Sequence, residues 1–318
     1  MARLTAARFV VTATVLITSV SSSFVCSVVL PTLPSAAAYV ALPTLSGTAG
    51  EAAAQQPAFS TRVESVRVDV LVIDNGRPIL GLGPADFEIV DNGVPQQVDL
   101  VSFENIPLNV VLALDMSDSV AGERLEQLQD AGRGVLGGLT KGDQAAVVTF
   151  SNAVTRAAPL TADLSIARDA LERATGTGMT SLADGIYAAM MIGEADAGRA
   201  LVMAFSDGLD TSSWLTDDRV LDSAKRGDAV VYSVGVGDGG NSSFLRELTS
   251  LTGGTAYKID STRDLRATFL RILDEFRHRY LVSYTPRGVS RDGWHRLDVR
   301  VKSRRATIKA RPGYLAGS

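Results

Sequence analysis

The chain has 318 residues, 46% of them hydrophobic and 21% charged, the balance of an ordinary globular protein long enough to bury a core. A formal net charge of −4 argues against nucleic acid as the main partner. With only His278 and His295 as histidines, a multi-histidine metal cage is not available.

The first fifty residues differ in kind from the rest. Arg3 and Arg8 are followed by no charge until Glu51, and "FVVTATVLITSV" at 9–20 is an apolar run behind a basic start. That is the layout of a secretory signal, with "SAAAY" at 35–39 or "EAAAQ" at 51–55 supplying small residues for cleavage. An uncleaved anchor is the alternative, since residues 9–30 are uncharged and just long enough to span a membrane. Both readings place the remainder of the chain outside the cytoplasm, in the periplasm, on the cell surface or secreted. Cys26, the single cysteine, lies in this segment, so the remainder has no disulfide to stabilise it. Residues 1–38 are thus expected to be signal or anchor, and 39–61, rich in Ala, Pro, Gly and Gln, a linker.

Residues 62–103, within a first β segment bounded at 62–105, alternate with period two: Val66, Val68, Val70 and Val72 share a face opposite Arg67 and Asp69. "IDNG" at 73–76 and "VDNG" at 90–93 are turn signals, because Asn-Gly accepts positive φ cheaply. "FEIV" (87–90) and "QVDLVSF" (97–103) read as the arms of the second hairpin.

From 107 to 278 the rhythm becomes strand, helix, strand, helix. Apolar strand cores fall at 110–114, 145–150, 200–206, 229–236 and 255–259. Leu125, Leu128, Val135, Leu136 and Leu139 form one helical stripe; Leu265, Phe269, Ile272, Leu273 and Phe276 form another. Near-continuous aliphatic strands between helices predict an α/β fold with a doubly wound, mostly parallel sheet flanked by helices.

Period two returns over 279–315. Leu297, Val299 and Val301 point one way, and Arg296, Asp298, Arg300 and Lys302 the other. With Arg304, Arg305, Lys309 and Arg311, these charges read as a solvated, edge-protecting strand face, or alternatively as a surface for an acidic partner. Each β piece is too small to fold alone, so the two are expected to form one small antiparallel β module with the α/β domain inserted between them.

In an open parallel sheet, ligands sit beyond the carboxyl ends of the strands. "VVLALDMSDSV" (110–120) places Asp115, Ser117 and Ser119 there, and "AFSDGLD" places Asp207 there. Thr180, in "GTGMTSLADGI", precedes a third helix, with Thr177 as a nearby rival. Two carboxylates and three hydroxyls from three loops form a hard-oxygen set that suits Mg²⁺, Mn²⁺ or Ca²⁺. Helix capping is the bland alternative for each loop taken singly.

Those three loops resemble the von Willebrand factor type A (VWA) family, whose metal-ion-dependent adhesion site carries Asp-x-Ser-x-Ser, then Thr, then Asp. The resemblance spans about 170 residues. It implies Ser117 and Ser119 as direct metal ligands, Thr180 as a direct or water-mediated one, and Asp115 and Asp207 mainly as holders of water. The flanks "GLGPADFEIVDNGVPQQV" and "RYLVSYTP…WHRLDVRVK…ARPGY" resemble a bacterial, exported subgroup of this family. A largely neutral inner shell would leave the dication most of its charge and an open position for a partner's Glu or Asp. The function so implied is adhesion or scaffolding rather than catalysis, with Asp118, Asp210 and Trp214 as candidate specificity contacts.

Two other classes of function stay open: an enzyme using metal or nucleotide, and a structural domain with an idle site. The competing motif is the dinucleotide-type "GVGDGG", where Gly235, Gly237 and Gly240 fit G-x-G-x-x-G with Asp260 twenty residues on. It follows a late strand, whereas such a fingerprint normally opens its domain, so it reads as a flexible connection. No G-x-S-x-G or H-E-x-x-H is present.

Overall fold

The computed structural model describes residues 65–317 apart from 104, 105, 238, 303 and 304. The expected signal or anchor, Cys26, the linker and Arg304 lie outside the described residues.

The N-terminal segment carries β1 (Val66–Asp74), β2 (Arg77–Pro78), β3 (Phe87–Asp91), β4 (Val94–Gln96) and β5 (Val98–Ser102). The middle runs β6 (Leu108–Asp115), α1 (Glu123–Gly137), β7 (Gln144–Phe150), β8 (Val154–Thr161), α2 (Leu164–Arg173), α3 (Leu182–Gly193), β9 (Arg199–Ser206), α4 (Asp217–Arg226), β10 (Val230–Val236), α5 (Ser243–Thr252), β11 (Ala256–Ile259) and α6 (Leu265–Arg277). The C-terminal segment adds β12 (Tyr280–Tyr284), β13 (Gly293–Val301), β14 (Thr307–Lys309) and β15 (Gly313–Ala316).

The middle segment forms one six-stranded sheet, ordered β11-β10-β9-β6-β7-β8 and parallel except for β8. Every residue of β6, β9 and β10 is buried, which is why these strands read as unbroken apolar runs. Their side chains divide by parity. Val110, Leu112 and Leu114 pack with α1, α2 and α6, while Val111 and Ala113 pack with the helices on the other face. Edge strand β8 and helix α2 carry weak signals: Arg156 and Pro159 interrupt the strand, and α2 buries only Ala167, Ala170 and Leu171.

The flanking segments form two antiparallel sheets, β14-β1-β12-β5 with β2 on β1, and β15-β13-β3-β4. They face each other across one core, Val68, Val70, Val72 and Tyr284 from the first meeting Phe87, Ile89, Leu297 and Val299 from the second. Val68 pairs with Val282, and Ile89 with Val299, so neither segment completes a sheet alone. Both Asn-Gly turns adopt the expected left-handed pair, Asn75 and Gly76 at φ 48 and 78, Asn92 and Gly93 at 47 and 84. The second hairpin is shorter than its sequence suggests. Only Val94–Gln96 returns on β3, and β5 crosses to pair with β12. Gln96 anchors this crossing: its amide donates to the Arg287 carbonyl at 3.0 Å and accepts from the Arg287 N–H at 2.8 Å.

The β module joins the α/β domain at the amino ends of the parallel strands. Arg199, which opens β9, is buried and donates through Nε to Asp69 Oδ1 at 2.8 Å. Arg279 is fully buried and donates to Tyr232 Oη at 2.7 Å and the Gly253 carbonyl at 2.6 Å. Burial drives the Tyr232 hydroxyl well above the ordinary tyrosine range, so it stays a neutral bridge, donating to Glu275 Oε1 at 2.8 Å. Two tail cations depart from the expected solvated face. Arg311 is buried against the Gly227 and Lys225 carbonyls and Asp228, and Lys309 pairs with Glu275 at 3.2 Å. The physical reason is that a strand edge docked on a second domain must satisfy that domain's loop carbonyls, and long cations reach them. Arg296, Arg300 and Lys302 do remain exposed.

Candidate functional site

At the carboxyl ends of β6 and β9 the backbone turns sharply, and the three loops close on one another. Gly176 lies so near the 117–120 turn that a Cβ there would sit 1.9 Å from the Val120 carbonyl oxygen, so only glycine fits. Thr177 N–H donates to the Met116 carbonyl at 2.7 Å, and Gly178 N–H to Asp118 Oδ1 at the same distance. The 207–215 loop is strapped to the start of α3. Asp210 accepts from Ala183 N–H at 2.8 Å, and Asp184 accepts from Trp214 and Leu215 N–H at 2.9 Å each.

Asp115 is fully buried, accepting from Ser117 N–H at 3.0 Å and from Ser206 Oγ at 2.7 Å. Burial pushes its carboxyl above the usual range; the Ser206 and Ser117 hydrogen bonds oppose that, and the nearby charge of Asp207 adds to it. Ser117 and Ser119 Oγ lie 3.1 Å apart, and Ser119 Oγ donates to Asp207 Oδ1 at 2.6 Å. Thr180 is buried, with its Oγ1 3.7 Å from where a Cβ on Gly208 would stand. Its backbone groups bind Thr211 and Ser212, whereas no hydrogen bond reaches its Oγ1 among the described residues. The rival Thr177 is exposed.

Asp115, Ser117, Ser119, Thr180 and Asp207 therefore meet in one crevice. None of them caps a helix: the N-cap positions of α1, α3 and α4 are Gly122, Ser181 and Thr216. Among the described residues no three His, Cys, Asp or Glu side chains gather as a metal cage. The crevice instead combines two carboxylates with three hydroxyls, that of Thr180 making no hydrogen bond among the described residues, a donor set that fits a hard dication.

Two residues of the crevice carry no recognisable sequence signal. Ser206, the last residue of β9, supports Asp115, and its adjacency to Asp207 is the one available hint. Arg124, in the first turn of α1, donates to Asp207 Oδ2 at 2.7 Å; nothing in its spacing marks it. Of the expected specificity contacts, Asp118 and Asp210 spend their carboxylates on loop N–H groups, and Trp214 projects freely, 95% exposed. The glycine-rich connection packs on β11, where a Cβ at Gly240 would meet the Lys258 side chain at 2.7 Å.

A doubly wound sheet that carries carboxylates and hydroxyls beyond its strand ends defines an open α/β domain. The chain belongs to the von Willebrand factor type A domain family, whose model matches residues 109–271, just over half of it. Inter-alpha-trypsin inhibitor heavy chain H1 of Bos taurus is 24% identical over 210 residues, 59% of this chain but only 23% of that protein. In fold the chain is similar to proximal thread matrix protein 1 from the mussel byssus (TM-score 0.50, 15% identity, 64% of this chain and 51% of that one). It is also similar to the vWF domain of the type V pili tip protein Mfa5 from Porphyromonas gingivalis (TM-score 0.45, 16% identity, 53% and 94%). VWA domains commonly mediate protein–protein interaction and often bind a divalent metal. Among the described residues no helix is long and apolar enough to cross a membrane.

Proposed function

We propose that the chain is an exported adhesion or scaffold protein that captures an acidic side chain of a partner protein through a dication held by Asp115, Ser117, Ser119, Thr180 and Asp207. The observation that carries this reading is the convergence of the five side chains from three loops, with the Thr180 hydroxyl unspent. Ser117, Ser119 and Thr180 would hold the ion, Mg²⁺ first among Mg²⁺, Mn²⁺ and Ca²⁺, while Asp115 and Asp207 orient the hydroxyls and water. The bound ion would supply a positive charge with an open position for a partner's Glu or Asp. The chain's own residues fix that position: Ser206 and Ser117 hold Asp115, and the Asp210 and Asp184 straps hold the loop behind Thr180. Residues 1–38 would direct export, with or without remaining as an anchor. A melting curve in Mg²⁺ against EDTA tests the site. Mg²⁺ is expected to raise the Tm of the wild type and not of Asp115→Ala, and an equal rise in both would overturn the assignment. Capture of a partner that persists in EDTA would overturn the adhesion reading.

A further inference from the structure

Arg124 is a cation already seated at the crevice. Asp207 is nearly closed to solvent, its side chain 2% exposed, and both of its oxygens are engaged: Oδ1 by Ser119 Oγ at 2.6 Å and Oδ2 by Arg124 Nη1 at 2.7 Å. The same Nη1 leans on the Ser119 carbonyl at 3.4 Å, on the loop that carries two of the proposed ligands. Asp115 contrasts with this, since it is held by hydroxyl and backbone donors and meets no cation among the described residues. The guanidinium is itself half-exposed, and among the described residues only its Nη1 is engaged.

We infer that Arg124 is a specificity-determining residue of the crevice: its fixed charge holds metal affinity down and offers a second anchor to the partner's carboxylate. The inference rests on the proposed reading of the site as a metal-dependent acid trap. Two carboxylates and one guanidinium leave the crevice a formal charge of −1 rather than −2, so a dication is attracted less than the donor count suggests. An arriving carboxylate meets both a positive ion and the unengaged edge of a guanidinium, whose fork matches it bidentately. Metal and acidic ligand would then support each other's binding reciprocally. Removing Arg124 is expected to act in opposite senses on the two.

The experiment is titration of the full chain with Mn²⁺, following the free-ion electron paramagnetic resonance signal, with isothermal calorimetry in parallel. Arg124→Gln is expected to bind Mn²⁺ about tenfold more tightly than wild type at low salt, with the gap closing as ionic strength rises. Arg124→Lys, which keeps the charge, should stay within about twofold of wild type. Glutarate added to Mn²⁺-saturated protein supplies the carboxylate, and it should bind Arg124→Gln more weakly than wild type. Equal or weaker Mn²⁺ binding by Arg124→Gln overturns the role of Arg124 and leaves the metal site standing. No Mn²⁺ binding by wild type or Arg124→Gln overturns the metal site itself. Near-ultraviolet circular dichroism in EDTA controls for folding.

Discussion

The two ends of the α/β sheet hold charge in opposite ways. At the carboxyl ends of β6 and β9, Asp115 and Asp207 are held by the hydroxyls of Ser206 and Ser119. About 23 Å away, at seven strand steps of roughly 3.3 Å, the amino ends meet the β module through Arg199–Asp69, Arg279 on Tyr232 and Gly253, and Arg311 on Lys225, Gly227 and Asp228. There Arg199, Arg279 and Arg311 are buried, and each donates to acceptors within the protein. A buried cation held by the protein's own acceptors fastens one domain to another, whereas two carboxylates that share a single cation, Arg124, keep a net negative charge able to attract another. The same strands thus carry a bolt at one end and, at the other, the proposed metal site as a socket.

The strongest way to break this comparison is at the bolt. Arg199→Ala leaves Asp69 buried without its cation and removes the guanidinium from above Phe276, 4.7 Å from the ring centroid. The expected cost is about 3–5 kcal/mol, read from urea unfolding in EDTA. The Mg²⁺-dependent rise in Tm should survive in that variant. Its loss would mean that the two ends are not independent.

Next comes the socket. At a Mg²⁺ concentration a hundredfold above Kd, wild type should gain about 2.7 kcal/mol over EDTA, and Asp115→Ala should gain none. In EDTA alone Asp115→Ala should lose little, because burial already disfavours that carboxylate. A large loss in EDTA would make Asp115 a fastening residue like those at the base.

A third test uses pH at the base. Burial would raise the Asp143 carboxyl, but Arg277 Nη2 at 2.7 Å and the Thr140 and Leu108 N–H groups outweigh it and hold it below the usual range. With the folded value below the unfolded one, its contribution is present above about pH 4 and lost as pH falls through the folded value. Asp143→Asn should therefore cost about 2 kcal/mol at pH 7, with the gap from wild type narrowing in acid. A gap independent of pH would show that shape, not charge, is what Asp143 supplies. The smallest effect belongs to Arg67, whose pair with Asp228 at 2.9 Å is half-exposed on both sides. Arg67→Ala should cost no more than about 1 kcal/mol and less in high salt.

Much of this was legible in the chain. The strand cores at 110–114, 145–150 and 200–206 all lie inside observed strands, because strands covered by helices on both faces are apolar through their middles. Both Asn-Gly turns were readable, since few residue pairs tolerate two left-handed conformations in a row. The meeting of Asp115, Ser117, Ser119, Thr180 and Asp207 was legible from strand ends and residue chemistry. Their roles as ligands remain the proposal that the Mg²⁺ test addresses. Strand β8 and helix α2 were not legible, being an edge and an alanine-faced helix whose apolar periodicity is faint. The return of β5 to the other sheet was hidden because Gln96 and Gln97 look alike until one of them is buried against Arg287.

By itself the sequence determined the class of fold, the antiparallel pieces at either end and the loops that form the crevice. These depend on local periodicity and on residue chemistry that no distant contact changes. Only the tertiary structure decided what each charge does. Arg124, Arg279 and Arg311 are equally cationic in the sequence, yet one rests half in water on Asp207 while the others are buried at the domain junction. That difference comes from burial and from partners more than twenty residues away, which no window along the chain contains. Its physical source is the cost of removing a charge from water, which is negligible on a surface and decisive in a core.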